Sequence, residues 1–565
     1  MAAEDGKHNM TIHKRARRML AALCGSLFLT ILQSGTSAAA PAAPSKPKLI
    51  VLIAIDGLPQ RQVLQYRDQL APDGFKRFLE RGSWFSNARY GHSFTVTGPG
   101  HATMLTGAYP HRSGIIGNEW RDPKTGEREY CTGDIGATYI GHRTNLLDGT
   151  SPKNLKVETV GDVLRRASPL SKVIAVSGKD RGAILPAGKT GTAYMYMSST
   201  GQFASSTYYM PEHPAWVNAF NARRPADRYF KQEWKALLPE AAYSRSLPDN
   251  QPWFGPAGGG LPSRFGMPDD DAPGPNFYGS LLRGPFADAL SLDFARAALA
   301  GEQLGQDNAP DILSISLSGH DYVNHAYSAE SRLSHDHVLQ LDRLLRSCCH
   351  DLDAHVGKNQ YVAVLTADHG FMPTVQVSAQ QGLPTGRIDG AQTLANINAG
   401  LEPALGPGKW VMAYSGASLL LDHRLLAQRG LDAHAVADAA RALLLAEPGF
   451  AAAYTRAEML SGARASESLF GALEKSWHPD VSGDVQYTLK PHWMFGVRAN
   501  GAVHGSPYDY DNHVPILFFG PAWIGMGRVD SRVEVVDIAP TLAALLGSTP
   551  PATAEGQALP LVKPR

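Results

Sequence analysis

Five stretches of this chain are apolar without alternation: residues 48–55, 173–176, 311–317, 361–366 and 514–519. A strand that shows neither face to water needs no polar residue at every second position. Runs of this kind therefore predict strands buried on both sides, as in a parallel sheet. Helical patterns fall between them at 74–82, 158–167, 331–349 and 536–546, with Leu333, Val338, Leu341 and Leu345 at helical spacing in the third and Pro540 in the first turn of the last. The alternation predicts an α/β fold with a mainly parallel central sheet flanked by helices. Two long stretches, about 184–305 and 372–500, break the rhythm. They are expected to be subdomains inserted into one catalytic core spanning 48–547, followed by a tail at 548–565.

The polar residues at the ends of these runs carry the chemistry. Asp56 follows the first, and Asp321 with His325 follows the third. Asp368 with His369 follows the fourth, and His504 precedes the fifth. An acid just past a buried parallel strand sits at the carboxyl edge of the sheet, where α/β proteins bind ligands. Asp321 and His325 are one helical turn apart, so both can face one metal, and carboxylate with imidazole suits zinc. Thr97, in Thr97-Gly98-Pro99-Gly100-His101, occupies an expected helix N-cap, where backbone N–H groups favour an anion. Three carboxylates, three imidazoles and one hydroxyl nucleophile are the parts of a two-metal phosphoryl-transfer site. His101 and His320 are read as hydrogen-bonded neighbours, and His335-Asp336-His337 as a solvated helix face.

Bulk properties narrow the rest. With 565 residues, 43% apolar and 19% charged, the chain is long and apolar enough for a large core. A formal charge of +1 provides no field to recruit nucleic acid as a partner. Lys14, Arg15, Arg17 and Arg18 precede an apolar stretch at 19–32 and then small residues through Ala40, the order of a secretory signal peptide at 1–39. That stretch is shorter than the roughly 20 residues needed to span a bilayer, so no stable membrane anchor is expected. The mature protein is read as periplasmic or secreted, with cleavage after Ala38 or Ala39. Cys131, Cys348 and Cys349 remain after cleavage, without zinc-finger spacing, and are read as structural or incidental. Nothing marks a coiled coil or a dimer helix, and the chain is read as a monomer.

Taken together, these residues resemble the alkaline phosphatase superfamily, in its threonine-nucleophile branch of phosphate-irrepressible periplasmic phosphatases and nucleotide pyrophosphatases/phosphodiesterases. The resemblance implies two Zn2+ ions, one held by Asp321, His325 and His504 and the other by Asp56, Asp368 and His369. It implies Thr97 as the nucleophile bridging to the metals and forming a covalent phosphothreonine. Asn118, in Gly114-Ile115-Ile116-Gly117-Asn118, would contact a phosphate oxygen. Lys179 and Arg181, in Ser177-Gly178-Lys179-Asp180-Arg181-Gly182, match the Lys-x-Arg pair of the monoesterases. Gly98 stands where many diesterase relatives carry an aromatic residue, and the Cys-x-Pro-x-Arg motif of sulfatases is absent.

Charge accounting points the same way. Two zinc ions, three carboxylates and a threonine alkoxide make a neutral site. A phosphate monoester dianion would then be balanced by Lys179 and Arg181, whereas a singly charged diester would leave that pair overcompensating. The expected partners are small-molecule phosphate monoesters. A phosphodiesterase or nucleotide pyrophosphatase with the same metals is the alternative, its second ester group lodged against the aromatic stretch around 194–209. A zinc- or phosphate-binding protein without catalysis is the non-enzyme alternative, against which an intact Thr97 argues.

Overall fold

The computed structural model describes residues 46–255, 259–267, 270–496 and 501–564. The expected signal peptide lies outside the described residues. Nine strands form the central sheet: β1 (Leu49–Ile55), β2 (Ser83–Arg89), β3 (Val173–Ser177), β4 (Thr192–Met197), β5 (Gln202–Ala204), β6 (Asp311–Leu317), β7 (Tyr361–Thr366), β8 (Ile516–Phe519) and β9 (Gly527–Glu534). Their order is β9-β2-β8-β7-β1-β6-β3-β4-β5. β1 lies at the centre in parallel register with both neighbours, Ile55 opposite Leu317 and Ala54 opposite Thr366. Every residue of β1, β3, β6 and β7 is buried, the burial that their unbroken apolar runs predict.

One strand departs from expectation. β8, anticipated as parallel, runs antiparallel to both β7 and β2. The reason lies in chain order. The other site residues follow their strands, whereas His504 precedes β8, so only a reversed strand brings it to the edge where the others lie. The edge strand β5 is also antiparallel, to β4.

Helices cover the sheet: α1 (Phe75–Arg81), α2 (Thr97–Thr106), α3 (Val160–Ala167), α4 (Asp180–Ala187), α5 (Pro285–Gly301), α6 (Gly319–Tyr327), α7 (Arg332–His355) and α8 (Ile538–Leu545). Thr159 caps α3 reciprocally with Asp162, and the Ser331 hydroxyl accepts from Ser334 N at the start of α7. Pro540 sits in the first turn of α8, where its missing N–H is not needed.

The first interruption is partly core. β4 and β5 extend the central sheet, and α5 packs on β6 and α7, so the excursion away from the sheet begins after Ala204 and ends before α5. Between them, residues 234–243 lie over α7. This overturns the solvated reading of His335, Asp336 and His337, all of which are 0% exposed. Asp336 accepts from Trp234 Nε1 at 2.6 Å, from Leu237 N at 2.7 Å and from the Tyr243 hydroxyl. His335 stacks on Tyr66 at 3.5 Å, and its Nε2 lies 2.6 Å from Gln69 Oε1. Helical spacing fixes which residues share a face. It does not reveal that a remote segment will cover that face.

The second interruption has a core of its own. Val411–Ser415, Ser418–Leu421, Val485–Leu489 and Phe450–Thr455 form a four-stranded sheet backed by helices Gly390–Leu405 and Ala433–Ala446. Trp410, Leu419, Leu444, Phe450 and Val485 pack in a cluster separate from that of the central sheet. The C-terminal tail returns to the core, where Val562 N donates to Ser83 Oγ at 3.0 Å and Glu555 lies 2.7 Å from His111 Nε2. Cys131, Cys348 and Cys349 are buried free thiols.

The Asp336 anchor is testable. Asp336→Ala strands the Trp234 Nε1, Leu237 N and Tyr243 hydroxyl donors at once and is expected to destabilise the fold by about 3 kcal/mol, read from denaturant unfolding.

Candidate active site

The parallel strands deliver their polar ends to one edge. Asp56 follows β1, Asp368 follows β7, Asp321 lies in the first turn of α6 after β6, and Thr97 begins α2 after β2. The loop before β8 adds His504. Two groups result, Asp321 with His325 and His504, and Asp56 with Asp368 and His369. In each, one potential ligand atom per residue lies within 4.8 Å of the others.

The imidazoles are aimed by backbone carbonyls. His325 Nδ1 lies 2.8 Å from Ala502 O, His369 Nδ1 2.9 Å from Gly370 O, and His504 Nδ1 2.9 Å from Thr95 O. A carbonyl can only accept, so each Nδ1 carries a proton for it and Nε2 is turned to the carboxylates. His325 Nε2 lies 3.3 Å and His504 Nε2 3.5 Å from Asp321 Oδ1; His369 Nε2 lies 3.4 Å from both Asp56 Oδ1 and Asp368 Oδ2. Asp56 Oδ1, Asp321 Oδ1 and His369 Nε2 are buried and make no hydrogen bond among the described residues. Converging unpaired nitrogen and oxygen donors, each oriented from behind, fit a divalent metal in both groups.

The electrostatics set burial against close neighbouring charges. Burial disfavours the Asp321 carboxylate, but His325, Lys179 and His504 outweigh it and hold its pKa well below the usual range. Asp368 is lowered in the same way, burial being overcome by His369 and His101. Burial opposes charge on His369 too, yet Asp368 and Asp56 raise it to about 9. His504, buried and stacked on His369 at 3.4 Å, is held well below the ordinary histidine value.

The cation pair lies inside this site. Lys179, 5% exposed, places Nζ 2.7 Å from Asp56 Oδ2 and 2.6 Å from Asp321 Oδ2, bridging the two groups. Arg181 Nη2 approaches Thr97 Oγ1 at 3.4 Å. Thr97 corrects one expectation: Val96 is the N-cap, and Thr97 is the first helical residue, with no capping bond from its side chain. Its hydroxyl is thereby left for Arg181. Asn118 Oδ1 accepts from Gly98 N at 2.7 Å, which fixes the amide and leaves Nδ2 as the donor.

Two glycines allow this closeness. A Cβ on Gly98 would meet Gly117 O at 2.8 Å, and one on Gly100 would meet Asp368 O at 2.2 Å. The aromatic residue of many diesterase relatives therefore has no room at 98. His101 and His320 are neighbours, as expected. His101 Nδ1 lies 2.9 Å from Thr97 O and 3.2 Å from Asp368 Oδ2, and His320 contacts Gln62 and His337.

Some supports carry no signal in the sequence. Asp511 Oδ2 accepts from Gly505 N at 3.0 Å and Ser506 N at 2.9 Å, holding the His504 loop, and no spacing announces it. Tyr130 and Asp180 contact Arg181, and only the position of Asp180 between Lys179 and Arg181 could have drawn notice. Between core and inserted sheet lies a cavity of about 210 Å³ walled by Phe94, Met372, Tyr487, Trp493 and Phe495, with His504 also lining it.

A family model described as type I phosphodiesterase / nucleotide pyrophosphatase matches residues 50–512, most of the chain and every residue of the site. The chain belongs to this family, within the alkaline phosphatase superfamily. It is 33% identical over 518 residues to alkaline phosphatase PafA of Elizabethkingia meningoseptica, covering 91% of this chain and 94% of that protein. It is 34% identical over 540 residues to alkaline phosphatase PhoK of Sphingomonas sp, covering 92% of each. The crystal structure of wild-type PafA matches with a TM-score of 0.84 at 31% identity, over 92% of this chain and 99% of that one. Family and relatives make this chain a phosphatase.

The Gly100 contact can be tested directly. Gly100→Ala must push α2 off the strand end that bears Asp368. It is expected to cost about 1–3 kcal/mol in unfolding free energy and roughly a hundredfold in kcat/KM.

Proposed function

We propose that the enzyme is an exported two-zinc phosphatase that hydrolyses phosphate monoesters through a covalent phosphothreonine on Thr97. The observation that carries this reading is the pair of cations beside the Thr97 hydroxyl: Arg181 Nη2 at 3.4 Å, and Lys179 wedged between Asp56 and Asp321. A dianion has three nonbridging oxygens to be held, and Lys179, Arg181 and the Nδ2 of Asn118 supply donors for them.

Asp321, His325 and His504 would hold one zinc, and Asp56, Asp368 and His369 the other. Zinc there would supply Lewis acidity, lowering the pKa of a bound hydroxyl and offsetting charge on the departing oxygen. Thr97 Oγ1 loses its proton to solvent and attacks phosphorus in line, the bond from phosphorus to the ester oxygen breaks, and that oxygen takes a proton from solvent and leaves as the alcohol. Water then attacks phosphorus, breaks the Thr97–phosphorus bond, and releases phosphate as Oγ1 regains a proton. Through both steps Arg181 and Asn118 hold the nonbridging oxygens, and the fixed imidazoles and carboxylates do not need to move. Export rests on the signal-like order of residues 1–40. Among the described residues no helix is long and apolar enough to cross a membrane.

The diesterase reading retains one observation in its favour. A cavity of about 310 Å³ lies beside Lys179 and Arg181, lined in part by Tyr139, Tyr196, Met197 and Tyr322, with room for a second ester group. Tyr194 does not line it, being packed in the core against Trp216 and Phe294. The binding-protein alternative is set aside, because PafA and PhoK, each matched over nine-tenths of this chain, are alkaline phosphatases.

Thr97→Ala is expected to abolish turnover of an aryl phosphate monoester. Replacing both Lys179 and Arg181 by Ala should lower kcat/KM for that monoester by roughly a thousandfold or more, with much less effect on the matching diester. A diester preference indifferent to both substitutions would move the enzyme to the diesterase side. Chelation should remove activity and added zinc restore it, followed by metal analysis and rate. Recovery with magnesium but not zinc would overturn the zinc assignment.

A further inference from the structure

The two cations are held in different ways. Lys179 is pinned by Asp56 and Asp321, carboxylates of the site itself. Arg181 is held from behind. Its Nη1 donates to the Tyr130 hydroxyl at 3.0 Å, and that hydroxyl donates to Asp180 Oδ1 at 2.6 Å. Asp180 is seated in turn by Gly149 N at 2.9 Å on Oδ2 and by Arg181 N at 2.6 Å on Oδ1. The direction of each link is fixed: a guanidinium can only donate and a carboxylate only accept, so the single phenolic proton must go to Asp180. Burial and the Asp180 charge raise the Tyr130 pKa, which keeps that proton in place.

The phenol also acts as a spacer. Arg181 Nη1 and Asp180 Oδ1 are 3.9 Å apart, and the Tyr130 oxygen bonds to both atoms. The phenol oxygen thus stands between the guanidinium and Asp180, and its removal lets the two approach each other. Tyr130 has a second tie to the site. It ends the hairpin of Glu119–Arg121 and Arg128–Tyr130, which starts one residue after Asn118. Cys131 N donates to Asn118 O at 2.9 Å and closes the base of the hairpin. One short hairpin thus carries both the amide beside Gly98 and the hydroxyl beneath Arg181.

We propose that Tyr130, seated by Asp180, is a positioning residue that aims Arg181 at the phosphoryl group and so sets the preference for monoester dianions over diesters. The proposal rests on the role given to Arg181 above. An arginine fixed in advance loses little conformational freedom when it binds, and the gain goes to the substrate with more charge on its nonbridging oxygens. A diester, with one charge fewer and an ester group in place of one such oxygen, gains less.

The test is a double-mutant cycle on the zinc-loaded enzyme: Tyr130→Phe, Arg181→Ala and both together, each assayed for kcat/KM on an aryl phosphate monoester and the matching diester. Tyr130→Phe keeps the ring and deletes only the hydroxyl. It is expected to lower monoester kcat/KM about tenfold, the scale of one charge-assisted hydrogen bond, to leave the diester nearly unchanged, and to have no further effect once Arg181 is Ala. An equal loss on both substrates, or the same loss with and without Arg181, overturns the proposal and leaves Tyr130 a purely structural residue. A different result, Arg181→Ala leaving the monoester-to-diester ratio untouched, overturns the role of Arg181 instead. Asp180→Asn weakens the acceptor without emptying its space, and reports on the same link if Tyr130→Phe proves unstable.

Discussion

Three carboxylates, Asp56, Asp321 and Asp368, are buried side by side, none more than 3% exposed. Unpaired carboxylates cannot persist in an interior: they are neutralised, or they gather cations around them. The surrounding structure meets that demand. Lys179 spans two of the acids, and three imidazoles turn their Nε2 atoms toward them because backbone carbonyls hold each Nδ1. The aligned strand ends of β1, β6 and β7, the glycine at 100 and the loop held by Asp511 all bring this charge into a volume too small for it to remain unpaired.

Much of this is legible in the sequence because it rests on local rules. A strand buried on both faces must be apolar throughout, and parallel neighbours must end at the same edge, so the apolar runs alone place Asp56, Asp321 and Asp368 together. Asp321 and His325 follow from helical spacing, and the structure places them at 3.3 Å. The illegible parts depend on remote segments. The direction of β8 is a property of the whole topology, and the burial of His335–Asp336–His337 depends on residues a hundred positions earlier in the chain. Tyr130 and Asp511 carry no motif, because a side chain that supports another needs only the right distance and one polar atom.

The two positive side chains illustrate a division that sequence spacing conceals. Lys179 and Arg181 are two residues apart, yet one belongs to the charge balance of the buried carboxylates and the other to a phenol and an acid outside it. A lysine, a compact charge with three donors, suits the space between two carboxylates. A guanidinium can be gripped on one nitrogen while another reaches a second group, as Arg181 does with the Tyr130 and Thr97 hydroxyls.

The inserted sheet at 411–489 folds around its own apolar cluster, while its Tyr487, and Trp493 and Phe495 just beyond it, wall a cavity that His504 also lines. The chemistry and the lining of this recess therefore rest on two foundations that share little packing. Evolution can redraw the wall, changing which molecules fit against the reacting centre, without disturbing the strand ends that hold the acids. The same separation gives an engineer a natural seam: a graft at this insertion could replace the recess while leaving the catalytic edge of the sheet intact.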